Sequence, residues 1–490
     1  MKIVLINPYN VGWSGLQNIL QIEPIGLEII GTYLQEDHDV YILDLRFEPD
    51  LESFLSRYKP DFVGISCLYT SHINATWDIA SRVKKVLPAC PIAVGGQPAT
   101  IASQFFNSIH IDFIVKGDGE VTMPELCKAI EKGSNLFEVP GLIINRDGIQ
   151  YTTKKRAPAD NLDKTLAPNR HLPGIDRSKY YMALSYKVGL FELTRGCKYR
   201  CNFCSIWQFA EGDVRSRSVD KAVEEIARIP ERRIFVADDH FFFDADYMRE
   251  LGEAIAAANL QKSFTVQSRA DVIANNPDMI DIWTKAGLNT VFLGIDGHSN
   301  KRLRLIRKSS NLDLNEGAAK VLSERGINLA GNMMIDPKFT KDEFKEVADY
   351  IESSNLGFLT FCIATPLPGT DLWKKRRSEI TTLDFSLYDL AHAVMETQLP
   401  LEEFYEQYVG LWKLRAKILP KLWEKPTLDT IYYSAKTDGV SLRLIRNFIR
   451  FSTEYTKVEN YLRDHGSTFK KPELELQKNT VVPELKELSG

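Results

Sequence analysis

The sequence predicts an α/β protein made of two successive parallel-sheet units followed by helices. Three observations predict it. Short apolar runs alternate with amphipathic helical stretches from residue 1 to about 135; the alternation resumes from about 187 to 370; and strand signals fade beyond about 395. Alternation of this length requires parallel pairing through right-handed crossovers. The front unit is therefore expected to be an open, doubly wound sheet over residues 1–140. A connector over 141–186 leads to a partial (β/α)6 barrel over 187–395, and a helical region with a polar tail fills 396–490.

In order along the chain, the front strands are expected at 3–7, 40–44, 62–66, 92–95 and 113–116, with helices such as 26–35 and 75–87 between them. The connector carries a hairpin signal at Asn145-Arg146-Asp147-Gly148 and prolines at 158, 168 and 173. The barrel strands are expected at 189–194, 233–237, 263–267, 290–295, 328–333 and 359–363, with helices at 219–229, 245–258 and 314–325. Sheets of both kinds bind ligands beyond the carboxyl ends of their strands, so the strand-end segments are where function is sought.

Composition narrows the classes. With 490 residues, 44% hydrophobic and 26% charged, the chain can bury real cores. Its net charge of −4 argues against nucleic acid as the main partner. It has no run of roughly 18 apolar residues, and Met1-Lys2-Ile3-Val4-Leu5-Ile6-Asn7-Pro8 reads as a strand entering a turn rather than a leader. The seven cysteines are odd in number and three cluster at 197, 201 and 204. A reducing, cytoplasmic setting with a cysteine-ligated site is expected.

Those three cysteines lie in Glu192-Leu193-Thr194-Arg195-Gly196-Cys197-Lys198-Tyr199-Arg200-Cys201-Asn202-Phe203-Cys204, directly after the first barrel strand. Three thiolates on one loop can hold a four-iron cube and leave one iron open, whereas structural iron–sulfur and zinc sites complete four ligands. Cys362 or His240 would have to close such a structural site. Lys198 and Arg200 either help hold a dianionic cluster or form a solvated face.

The CxxxCxxC spacing with aromatic Phe203 before the last cysteine resembles the radical S-adenosylmethionine (SAM) enzymes over about 187–395. The resemblance implies that Cys197, Cys201 and Cys204 hold a [4Fe–4S] cluster whose open iron binds SAM. The remaining strand ends then read as a SAM pocket. Asp238 or Asp239 would take the methionine amino group, although the usual Gly-Gly-Glu is absent. Gln267 and Arg269 would hold the carboxylate or ribose, arginine being suited to a bidentate carboxylate clamp. Asp296 would accept from ribose hydroxyls.

The front unit lacks a strand-linked GxGxxG, so a dinucleotide site is weakly supported. Its placement resembles the cobalamin-binding domain found before many radical SAM barrels. Asp44-Leu45-Arg46 stands where other cobalamin proteins present Asp-x-His, which implies cobalamin bound without histidine ligation. With Asp44 and Arg46, the expected cobalamin-binding residues are Ser66 and its following loop, Gly95, Gly96, Gln97, Gly117, Gly119 and Glu120. His72 reads as a cap or hydrogen-bonding residue. Thr365-Pro366-Leu367-Pro368-Gly369-Thr370 and Phe385-Ser386-Leu387-Tyr388-Asp389-Leu390-Ala391-His392 are similar to segments of the same branch.

The whole chain is most similar to the hopanoid C-3 methylase type. That resemblance implies a methyltransferase with no catalytic side-chain triad: one SAM methylates the corrinoid, and a second yields a 5′-deoxyadenosyl radical that takes hydrogen from an unactivated carbon. The implied partners are an apolar small molecule or lipid and an electron donor such as flavodoxin or ferredoxin. Between 410 and 452 basic residues outnumber acidic ones among many aromatic and aliphatic side chains. This reads either as a peripheral membrane contact or as a helical cap on the barrel. Two other readings stay open: an anaerobic magnesium-protoporphyrin ester cyclase type, and a non-catalytic corrinoid- or cluster-binding protein. A methylthiotransferase is disfavoured by the lack of a second cysteine triad.

Overall fold

The protein is described here from a computed structural model covering residues 1–9, 20–182, 185–354, 356, 358–422, 446, 447, 450 and 453–466. The front sheet contains β1 (Lys2–Asn7), β2 (Asp39–Asp44), β3 (Phe62–Ser66), β4 (Ile92–Gly95), β5 (Phe113–Val115), β6 (Leu142–Arg146) and β7 (Ile149–Thr152). Their spatial order is 2-1-3-4-5-6-7. The first five are parallel and the last two antiparallel. Such an order has its topological switch between β1 and β3, the crevice where doubly wound sheets bind ligands.

The hairpin expected in the connector is real, but it belongs to this sheet. Asp147 and Gly148 both adopt positive φ, 54° and 76°, the two-residue turn that matches strand twist. Phe113 pairs with Ile144, so the sheet runs on to Thr152 rather than ending near 140. The added strands cover the β5 edge, which would otherwise present unpaired backbone groups.

The barrel contains β8 (Val188–Phe191), β9 (Arg233–Val236), β10 (Ser263–Arg269), β11 (Leu288–Gly294), β12 (Asn328–Ile335) and β13 (Phe358–Ile363), in that spatial order and all parallel. All six are the strands expected. β8 and β13 do not pair, so the barrel is open along one side. Strand alternation divides its residues: Ile234, Val236, Phe264, Val266, Val291, Leu293, Met333, Ile335, Leu359 and Phe361 join the core beneath the helices. The intervening Phe235, Thr265, Gln267, Phe292, Asn332, Met334 and Thr360 line the less buried inner face.

The helix Leu401–Leu422 lies along β13, where the Tyr408 hydroxyl donates to the Phe361 carbonyl at 2.9 Å. A second C-terminal helix, Val458–Gly466, packs on it through stacked Tyr405 and Tyr461 rings. The described part of 396–490 thus caps the barrel. Most of the basic, aromatic stretch and the polar tail lie outside the described residues. Among the described residues no helix is long and apolar enough to cross a membrane.

Candidate active site

The cysteine loop grows from a two-stranded ribbon, Thr194–Gly196 paired with Val214–Ser216. Gly196 turns the chain into the loop at φ 102°, and a side chain there would meet the Asp213 carbonyl at 2.1 Å. Cys201 is buried, while Cys197 and Cys204 are partly exposed. Burial raises all three thiols, Cys204 to about 12, and backbone N–H groups of Tyr199 and Ile206 oppose this at Cys197 and Cys204. Arg269 adds a cation with Nη1 4.0 Å from Cys201 Sγ. Three soft ligands on one loop with N–H donors and a cation beside them fit an iron–sulfur cluster. Among the described residues no three His, Cys, Asp or Glu groups converge on a single ion.

The strand-end residues surround this loop unequally. Asp238 is buried and occupied: Leu193 N–H donates to one carboxylate oxygen and the Thr194 hydroxyl to the other, each at 2.8 Å. Burial raises its pKa to about 8. It pins the base of the cysteine loop. Asp239 is the exposed member of the pair and stands near Cys197 and Cys204. Desolvation by the wall around it, with a contribution from Glu192, raises it to about 6, while a backbone N–H from Gly196 opposes the rise. Of the two acids, Asp239 is the one placed to meet a ligand. Gln267 donates to the Asp238 carbonyl at 3.3 Å on the inner face.

Arg269 does not present the free carboxylate clamp expected of it. Its Nε donates to Asp271 at 2.9 Å, its Nη2 to the carbonyls of Lys308 at 2.5 Å and Ser309 at 3.1 Å, and its guanidinium lies 3.6 Å from the Tyr199 ring centroid. Protein groups occupy it, so it braces Cys201 instead. Asp296, at φ 57°, is likewise engaged by an ion pair with Lys308. Sequence reading misses Tyr199, Asp271 and Lys308 as partners. No local pattern links Lys308 to Asp296, because a loop after the helix Asn300–Leu305 brings it back. Phe203 is half-buried within the loop. Lys198 and Arg200 are exposed, as the solvated-face reading has it. Cys362 is buried on β13 and burial raises it to about 12.

The carboxyl edge of the front sheet faces the cysteine loop. Gln97 Nε2 donates to Ser205 Oγ at 2.8 Å, one residue past Cys204. Arg195 pairs with Glu120, Asp118 and Glu192, and Arg215 pairs with Asp118. Glu120, expected at the cobalamin, is therefore a buried tie between the two units. Gly96 and Gly119 are also explained by packing. A Cβ on Gly96 would lie 2.1 Å from the Cys67 carbonyl and one on Gly119 2.8 Å from Ile30. Gly117, at φ 72°, has open space around it, and Gly95 has only ordinary contacts.

Asp44 is fully buried and held by Arg46 through two contacts of 2.8 and 2.6 Å, with Arg46 also donating to the Ile22 carbonyl at 2.8 Å. Ser66 ends β3 half-buried. Just beyond it, Leu68 and Tyr69 are half exposed, and the His72 ring meets Tyr69 edge-on at 5.2 Å. His72 makes no side-chain cap, and among the described residues its buried Nδ1 has no partner. Burial lowers its pKa to about 4, so it stays neutral. Open apolar side chains and an unsatisfied buried nitrogen at the sheet's switch point fit a large corrinoid with amide-rich edges.

Residues 191–351 match the Radical SAM superfamily and residues 20–127 the B12 binding domain. The chain is 30% identical over 489 residues to hopanoid C-3 methylase of Methylococcus capsulatus, covering 96% of this chain and 91% of that protein. This chain belongs to the cobalamin-binding radical SAM methyltransferases. It is also 26% identical to the anaerobic magnesium-protoporphyrin IX monomethyl ester cyclase of Synechocystis sp., covering 86% of this chain and 87% of that one. In fold it resembles the radical SAM methyltransferase TsrM from Kitasatospora setae, solved with cobalamin and a [4Fe–4S] cluster, at TM-score 0.66 and 17% identity over 84% of this chain and 88% of that chain. OxsB with aqua-cobalamin and SAM gives TM-score 0.67 at 17% identity, over 94% and 78%. The cofactors of a cobalamin-binding radical SAM methyltransferase are the [4Fe–4S] cluster, SAM and cobalamin.

Proposed function

We propose that this methyltransferase acts at an unactivated carbon of a polycyclic lipid, the C-3 position of a hopanoid. The observation that carries the reading is the 30% identity to a hopanoid C-3 methylase over nearly the whole of both chains. The inner face of the barrel supports it: Phe292 is 38% exposed on a central strand, Phe235 meets it edge-on at 6.3 Å, and partly exposed Met334 lies on the same face. Aromatic and thioether surface inside a barrel suits an apolar, rigid substrate.

When bound, the cofactors supply the difficult chemistry, a radical hydrogen abstraction and a methyl donor. The chain's own groups position and enclose. Cys197, Cys201 and Cys204 would hold the cluster, while Asp239 and Gln267 are proposed to take SAM's polar end. Arg46, Ser66, Gly95 and Gly117 are proposed to border the corrinoid. The Gln97–Ser205 and Arg195–Glu120 contacts keep the two cofactor regions facing each other. A flavodoxin or ferredoxin would deliver electrons, and a peripheral membrane contact would give access to lipid.

The test is anaerobic reconstitution with cobalamin, SAM and reductant, together with mass spectrometry of lipids from a strain lacking the protein and from its complement. The reading expects S-adenosylhomocysteine beside 5′-deoxyadenosine and a hopanoid heavier by one CH2 only in the complemented strain. 5′-Deoxyadenosine alone would favour a cyclase, which the Synechocystis relative keeps as the second reading. No SAM cleavage at all would leave a carrier protein.

A further inference from the structure

The helix along β13 brings one cation to the open side of the barrel. Arg415 is buried, with 6% of its surface exposed, and among the described residues its Nε has no hydrogen-bond partner. Its guanidinium lies 3.6 Å from the Phe358 ring centroid and 5.2 Å from that of Trp412. Among the described residues no carboxylate pairs with it, whereas Arg170, Arg177, Arg195 and Arg215 at the domain junction are each paired with one. Desolvation alone acts on Arg415 and lowers its pKa to about 9.

A buried charge without a partner is costly, and an opposite charge on a ligand would offset that cost. Phe358 opens β13 and shares the alternating face of Thr360 and Cys362. Arg415 therefore stands at the amino-terminal end of the inner face. The four strand steps from Phe358 to Cys362 span about 13 Å, with the cysteine loop at the far end. The apolar Phe235, Phe292 and Met334 belong to the same inner face.

We infer that Arg415 binds an oxyanion, a phosphate or carboxylate, carried at the end of the substrate remote from the methylated carbon. The substrate is then an anionic amphiphile that lays its apolar body along the inner face. Guanidinium recognises such groups through two parallel N–H donors. This deepens the polycyclic-lipid reading and rests on it for the identity of the apolar body, while the anion site itself does not.

Binding of dodecyl phosphate, dodecanol and inorganic phosphate to the full chain tests the site by calorimetry, alongside the melting temperatures of wild type and Arg415→Met. Wild type is expected to bind dodecyl phosphate about tenfold more tightly than either other probe, with the preference over dodecanol lost in Arg415→Met. Arg415→Met, which removes the uncompensated charge and keeps the length, should melt at or above wild type. Equal binding of dodecyl phosphate by both proteins overturns the site, and a fall in melting temperature with binding unchanged shows packing against Phe358 only. Inorganic phosphate bound as tightly as dodecyl phosphate overturns the amphiphile. Methyl transfer is scored separately. Anion binding without methyl transfer by wild type sinks only the functional reading, and methyl transfer without anion binding sinks only this inference.

Discussion

A guanidinium 4.0 Å from the Cys201 thiol is a local field with a definite sign. Arg269 is fixed by Asp271, two carbonyls and the Tyr199 face, so its charge cannot swing away. A nearby cation favours the more negative, reduced form of a metal cluster, and buried surroundings strengthen the effect. Arg269→Met should therefore shift the cluster midpoint to more negative values in an EPR-monitored redox titration, with Arg269→Lys shifting it less. An unchanged midpoint in Arg269→Met would leave Arg269 a packing residue. Gly96 shows the other residue-scale constraint. At φ 111° with the Cys67 carbonyl 2.1 Å from a built Cβ, Gly96→Ala is expected to cost about 2–4 kcal/mol in denaturant unfolding.

At the scale of elements, the ribbon that carries the cysteines is also tied to the front unit by ion pairs. Arg195 and Arg215 on its two strands reach Glu120 and Asp118 at the start of the helix Gly119–Lys132. These charges are mostly buried, so removing one partner leaves an uncompensated ion. Arg195 keeps Glu192 and Asp118 when Glu120 is lost, which limits the damage. A double-mutant cycle of Glu120→Gln with Arg195→Gln should give a coupling of about 1 kcal/mol or more, and Glu120→Gln alone should weaken cobalamin retention. Additivity of the two changes would deny the tie.

For the whole molecule, the docking of the last described helix is expected to depend on pH. His392 is fully buried between Asp389, 3.0 Å from Nδ1, and Asp464, 3.5 Å from Nε2. Burial opposes its charge, but the two carboxylates prevail and raise it to about 9. The ordinary value is near 6.5, so this stabilisation is complete below about pH 6.5 and is lost as pH rises through 9. His465, whose Nε2 meets the Tyr405 hydroxyl at 2.6 Å, is lowered to about 4 by burial and stays neutral across that window. Hydrogen exchange in 458–466 is expected to quicken between pH 6.5 and 9 in wild type and to lose that dependence in His392→Asn. A wild-type profile as flat as the variant's would remove His392 from this role.

Alternation in the sequence determined the five parallel strands of the front sheet and all six barrel strands, while the cysteine spacing and the family resemblance it carries pointed to the cofactor class. Those signals are local and repeat at fixed periods. Tertiary structure alone decided which charges are free. Asp44, Asp238, Arg269, Asp296 and Glu120 read alike as ligand groups along the chain, yet each already has a protein partner. Arg415 reads as one basic residue among several and is buried with no carboxylate partner among the described residues. Asp44 and Arg269 each have a partner two residues on, but the other partners lie 12 to 75 residues away, and only folding brings those within reach.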